Sequence, residues 1–151
     1  MQKEFKVRLI KHVTFLENEL KDYDAFSSLS WEQYNTDRDK RRNVERWIEN
    51  IINSSIDIAK IILTSEGLAL PDTYKEIVNS VSLVADFNKE KMETLSRWVR
   101  LRNIISHEYL DIRWSSIKRF ISESRPLFED FLAATKGYIE RKERKDSAET
   151  A

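Results

Sequence analysis

The 151-residue chain has no cysteine, only two glycines and only two prolines. Without thiols it can form no disulfide, no thiolate zinc site and no cysteine nucleophile. So little Gly and Pro leaves few tight turns, and helices are the long uninterrupted elements that economise on both. No apolar run approaches the ~20 residues that a bilayer span needs. The opening stretch M-Q-K-E-F-K-V-R-L-I puts charge into every turn, so neither a signal peptide nor a membrane anchor is expected. An excess of one charge is missing too: 26 Lys and Arg balance 26 Asp and Glu. Any nucleic-acid site must therefore come from local clustering of charge. Together the absences suggest a soluble, helical, cytoplasmic chain, and no cofactor or resident metal is expected.

What is present is a 40% hydrophobic fraction and a 34% charged one, enough for a single core under a well-solvated surface. Residues 3–23 carry Phe5, Leu9, Val13 (or His12), Leu16 and Leu20 at spacings of three and four, one apolar helical stripe. His12 has no ligand-type neighbour at metal spacing and reads as a partly exposed helix histidine. Ser30 followed by Gln33 resembles a capping box for a short helix near residues 31–35, and Thr36 or Asp37 can cap a long helix over 38–65. On that helix Val44, Trp47, Ile48, Ile51, Ile52, Ile58, Ile61 and Ile62 form a broad apolar face. Arg46, Asn50, Asn53, Asp57 and Lys60 recur on its other side, either as a solvated stripe or as the wall of a groove. Gly67 suits the C-terminal cap and Pro71 follows it. Asp72 or Thr73 then opens a helix over 73–87, and Asn88 opens one with Met92, Leu95, Trp98 (or Val99), Leu101 and Ile105 on its buried side. Asp111 is the expected cap of a last helix from about residue 113, with a kink or break at Pro126. The expected architecture is all-α, an up-and-down bundle of four or five helices over residues 1–140. Residues 141–151 have no apolar periodicity and are expected to fray.

Chemistry concentrates in Arg102 to Tyr109, R-N-I-I-S-H-E-Y. At ~100° per residue, Arg102 and Tyr109 share a face of a continuing helix while His107 points roughly 140° away from Arg102. Arg102 and His107 can meet only if the helix loosens after Ile105 or if a second copy supplies the partner across a two-fold axis. Two histidines and two arginines around one groove suit metal-independent cleavage of an RNA phosphodiester. One imidazole takes the 2′-OH proton and another group protonates the leaving 5′-oxygen. Arginine's planar fork matches the oxygens of the charged phosphorane, and Asn103 can orient backbone or substrate. No carboxylate cluster surrounds the motif to hold a divalent ion. By spacing alone His107 could equally be a structural cap on the helix C-terminus.

These eight residues resemble the R-N-x-x-x-H-x-Y signature of the HepT-like toxins of the HEPN ribonuclease superfamily. The long helix N-V-E-R-W-I-E-N-I-I-N-S-S-I-D-I-A-K, the turn L-P-D-T-Y-K-E and the segment D-I-R-W-S-S-I-K-R-F follow in that family's order. The resemblance implies a HEPN-like two-fold homodimer with Arg102 and His107 catalytic and Asn103 supporting. Asp57, in the I-D-I-A segment, is a further candidate for the same cleft. It also implies the toxin half of a type II/VII-like pair with an MNT-type nucleotidyltransferase antitoxin, which would transfer AMP onto Tyr109 and so repel RNA. The R-K-E-R-K tail matches no feature of the family. Two alternatives remain: a non-catalytic HEPN-like module that binds a nucleotidyltransferase or nucleotides, and a purely structural bundle.

Overall fold

Leu9, Val13, Leu16 and Leu20 are buried along α1 (Lys3–Leu20), while His12 lies half-exposed beside them. The computed structural model describes residues 1–150. A single turn, α2 (Tyr23–Phe26), leads into α3 (Trp31–Thr36). The expected capping box is present at α3: the Gln33 amide donates to Ser30 Oγ and the Ser30 amide donates to Gln33 Oε1, both at 3.1 Å. Asp37, not Thr36, then caps α4 (Arg38–Ser65) by accepting from the amides of Asp39 and Lys40. This 28-residue helix is the spine of the fold, about 42 Å long at 1.5 Å per residue.

Gly67 ends α4 with φ at 69°. The Leu68 amide donates to the Leu63 carbonyl and the Gly67 amide to that of Thr64, the paired bonds of a Schellman cap. Residues 73–87 are not one helix. Thr73 caps α5 (Tyr74–Ser80), and a 3-10 turn (Val81–Leu83) and an irregular stretch follow, burying Val81, Val84 and Phe87. The β-branched residues and the Phe pack inward from a tighter path than α-helical spacing allows. Asn88 caps α6 (Lys89–Arg97), a 3-10 turn (Trp98–Arg100) intervenes, and α7 (Leu101–His107) follows.

Asp111 is not the cap of the next helix. Glu108 and Tyr109 are extended, Tyr109 is the N-cap residue, and α8 (Leu110–Glu123) begins with Asp111 in its first turn. There the carboxylate still faces the positive end of the helix dipole. The chain breaks at Ser124, and Pro126 sits in the first turn of α9 (Arg125–Thr150), where a missing amide hydrogen costs little. Residues 141–150, expected to fray, instead continue α9. Charge pairs tie the start of this stretch to the body: Arg141 grips Asp86 at 2.7 Å, Lys142 meets Glu66 at 2.6 Å and Glu143 meets Lys6. Lys, Arg, Glu and Ala are good helix formers, so a neighbouring surface of opposite charge suffices without an apolar stripe.

The fold is all-α among the described residues, with α1 lying along α4, α9 closing on α1 and α6, and α5 and α7 seated on α4. No helix among them is long and apolar enough to cross a membrane. An aromatic cluster ties the bundle together. Phe120, fully buried, has ring centroids of Tyr23, Trp47, Trp98 and Phe128 between 5.4 and 6.0 Å away. The Tyr23 hydroxyl shares a 2.7 Å hydrogen bond with Ser124 at the break before α9. Burial raises the pKa of that phenol well above its ordinary value, so it remains a neutral partner. Phe120→Ala should cost about 3–5 kcal/mol, read as a lower denaturation midpoint with an unchanged denaturant slope.

Candidate functional site

The rotation of α7 about its own axis decides what the motif presents. Leu101 and Ile105, four residues apart, are both buried and fix one face of the helix inward. At ~100° per residue this turns Arg102 and Ser106 to one flank and Asn103 and His107 to the outer face. Arg102 is half-buried, whereas Asn103 and His107 are exposed. The helix runs unbroken from Arg102 to His107, so the ~140° between these two side-chain directions persists within one chain. The loosening lies elsewhere: in the 3-10 turn before Leu101 and in the extended pair Glu108–Tyr109. Tyr109 therefore does not share a helical face with Arg102. It stands on the corner after α7 with 82% of its surface exposed.

That corner is held by residues distant in sequence. Arg113 Nε donates to the Glu108 carbonyl at 2.7 Å, and its Nη1 donates to Glu45 Oε2 at 3.3 Å. Tyr34 donates its hydroxyl to the same Glu45 oxygen, with its ring centroid 5.2 Å from that of Trp114. Burial first, and the Glu45 carboxylate second, raise the Tyr34 pKa, which keeps this phenol a donor. An extended dipeptide without glycine is thereby pinned between two helices.

Arg102 opens onto a groove of about 660 Å³, lined by Tyr74, Lys75, Arg97, Arg100 and Asn103 among others, with Asp72 its one carboxylate. Arg102 Cζ stands 4.8 Å from the Tyr74 ring centroid, and Lys60 Nζ, reaching from α4, is 5.0 Å from the same centroid. Arg97 is paired with Glu93. Among the described residues Lys60, Lys75, Arg100 and Arg102 have no carboxylate within 4.0 Å. The groove therefore carries uncompensated positive charge in a protein whose formal net charge is zero, and its natural ligand class is anionic.

Asp57 is not among the residues of this groove. It lines a separate one of about 500 Å³ between α1 and α4, with Arg8, Lys11, His12, Asn50 and Asn53. From Arg46 to Asp57 the polar stripe of α4 is thus a groove wall, Arg46 and Asn50 bordering a third hollow against α2, and Lys60 reaches the Tyr74 ring. Of the basic cluster opening α4, Arg41 is committed to the carbonyls of Tyr34 and Asn35. Lys60 stood in the polar stripe of α4, and Tyr74 and Arg113 in the segments that carry the resemblance, but nothing in the sequence tied them to the Arg102–Tyr109 stretch, because they meet it only through folding. Among the described residues no group of three or more His, Asp or Glu is arranged to hold a metal ion.

A family model described as "Ribonuclease HepT-like" matches residues 16–135. Among solved structures, the chain is similar to a crystal structure of a toxin–antitoxin with AMP-PNP. That match has a TM-score of 0.74 at 18% identity, covering 85% of this chain and 97% of that one. It is likewise similar to a tri-AMPylated Shewanella oneidensis HEPN toxin in complex with MNT antitoxin, with a TM-score of 0.74 at 18% identity, covering 91% and 99%. At that identity the likeness is one of fold. No curated protein matches the sequence significantly.

The Arg113 corner is testable by itself. Arg113→Ala leaves the Glu45 carboxylate and the Glu108 carbonyl short of a donor, an expected loss of about 1–3 kcal/mol. Amide hydrogen exchange should accelerate at residues 107–110 while the helices on either side keep their protection.

Proposed function

The chain belongs to the HepT-like ribonuclease family, and from that premise we propose that it is a toxin-type, metal-independent endoribonuclease acting in the cytoplasm. The observation that carries this reading is the unpaired cationic groove flanked by Arg102, with His107 exposed on the outer face of the same short helix. A cleaving site needs an imidazole and an arginine on one phosphate, and within one chain the two diverge. A two-fold dimer that brings Arg102 of one copy beside His107 of the other removes the difficulty.

In that assembly one imidazole accepts the proton of a ribose 2′-OH as the 2′-oxygen attacks phosphorus. The Arg102 guanidinium neutralises the charge building on the nonbridging oxygens. The 5′-oxygen departs with a proton from the second imidazole, leaving a 2′,3′-cyclic phosphate. Asn103, one turn before His107 on the same outer face, orients the imidazole or the substrate backbone. Asp57, which lines another groove, has no step in this scheme.

Silencing falls to Tyr109. Its 82% exposure on a pinned, extended corner suits a hydroxyl that must enter the active site of another enzyme. An MNT-type nucleotidyltransferase is the proposed antitoxin, and the solved toxin–antitoxin complexes of like fold support that choice. The phenol oxygen attacks the α-phosphorus of ATP and pyrophosphate leaves. The AMP that remains sets negative charge beside the RNA path.

Expressed without its partner, the protein should arrest bacterial growth and cleave purified RNA in the presence of chelator. Arg102→Ala and His107→Ala should each lower cleavage at least about a hundredfold and relieve the arrest. A tight complex with the nucleotidyltransferase, but intact RNA at high protein concentration, would instead identify a non-catalytic binding module. Co-expression with the partner should add one or more AMP masses to the wild type and none to Tyr109→Phe.

A further inference from the structure

We propose that Tyr74 is a nucleobase-stacking platform for single-stranded RNA, one nucleotide away from the phosphate that Arg102 holds. The inference deepens the ribonuclease reading and rests on it. Tyr74 is the first residue of α5, fixed in place by the Thr73 cap, whose Oγ1 accepts from the Glu76 amide at 3.2 Å. The residue is nevertheless 46% exposed, and it lines a groove rather than the core. Two cations from different helices, Lys60 and Arg102, stand 5.0 and 4.8 Å from the ring centroid. Lys75 and Arg100 line the same groove without carboxylate partners.

A solvent-facing aromatic ring among unpaired cations is the arrangement that single-stranded nucleic acid uses: bases on the ring, phosphates on the charges. In the free protein the flat Arg102 guanidinium occupies the position a nucleobase would take. A cation–ring contact at an exposed site is weak enough for a base to displace it. The displaced guanidinium then meets the adjacent phosphate, so the stack and the catalytic contact form together. This couples base binding at Tyr74 to delivery of Arg102 and requires unstacked, single-stranded substrate.

The test uses the intact protein with short, fully 2′-O-methylated RNAs, which lack the attacking hydroxyl, bearing 2-aminopurine at each position in turn. Wild type and Tyr74→Phe should quench the fluorophore at one position and bind alike. Tyr74→Leu should lose the quench and bind roughly tenfold more weakly. Cleavage of unmodified RNA by each protein is measured in parallel. If wild type cleaves but shows no position-specific quench, or Tyr74→Leu keeps both quench and affinity, stacking is wrong and the ribonuclease reading stands. If Tyr74→Leu slows cleavage while quench and affinity are intact, the ring only holds Arg102, and the platform is again refuted. If wild type neither binds nor cleaves RNA, the ribonuclease reading falls and takes the platform with it.

Discussion

Burial along α4 is the constraint from which the rest of the molecule follows. Ile48, Ile51, Ile52, Ile58 and Ile62 are at most 1% exposed, and α1, α3, α5 and α7 all pack on this one helix. Its ends are fixed chemically, by the Asp37 side chain at the start and by the positive φ of Gly67 at the finish. A helix so anchored has no freedom to rotate, so its polar stripe is set at the same moment as its apolar one. That stripe then walls two hollows in succession, and beyond them Lys60 reaches the ring of Tyr74.

The site inherits its geometry from the same burial. Leu101 and Ile105 turn α7 so that Arg102 lies on a flank and His107 on the outside. One unbroken helix joins them, so in a single copy the two side chains point to different faces. The corner that follows is rigid for a different reason. Arg113 and Glu45, 68 positions apart, hold the Glu108 carbonyl and an extended backbone that no glycine relaxes. Tyr109 is thus displayed by a firm support while its own surface stays open.

Much of the fold was legible from residue spacing. Period-3.6 apolar stripes marked α1, α4 and α6, and the Ser30–Gln33 box, Gly67 and Asn88 punctuated them as local hydrogen bonding requires. Where the reading failed, the cause was tertiary. The stretch 73–87 carries apolar residues at near-helical spacing, yet Val81, Val84 and Phe87 are drawn inward along a tighter path. Asp111 had the right chemistry for a cap but lost the position to Tyr109, because Arg113 fixes the preceding carbonyl and starts the helix early. Residues 141–150 carry no apolar signal, yet α9 runs through them, with Arg141, Lys142 and Glu143 paired to Asp86, Glu66 and Lys6, which lie far away in sequence.

By itself the sequence determined the helical class, the long central helix and the eight-residue stretch on which the proposed chemistry rests. Those properties depend on neighbours three or four positions apart, and such spacing is written in the chain. Tertiary structure alone decided that Lys60 and Arg102 share the ring of Tyr74, that Asp57 belongs to a different groove and that the helix stops short of Tyr109. Each is a meeting or a parting of segments set by how whole helices rotate to bury their apolar faces, and no local pattern encodes that rotation.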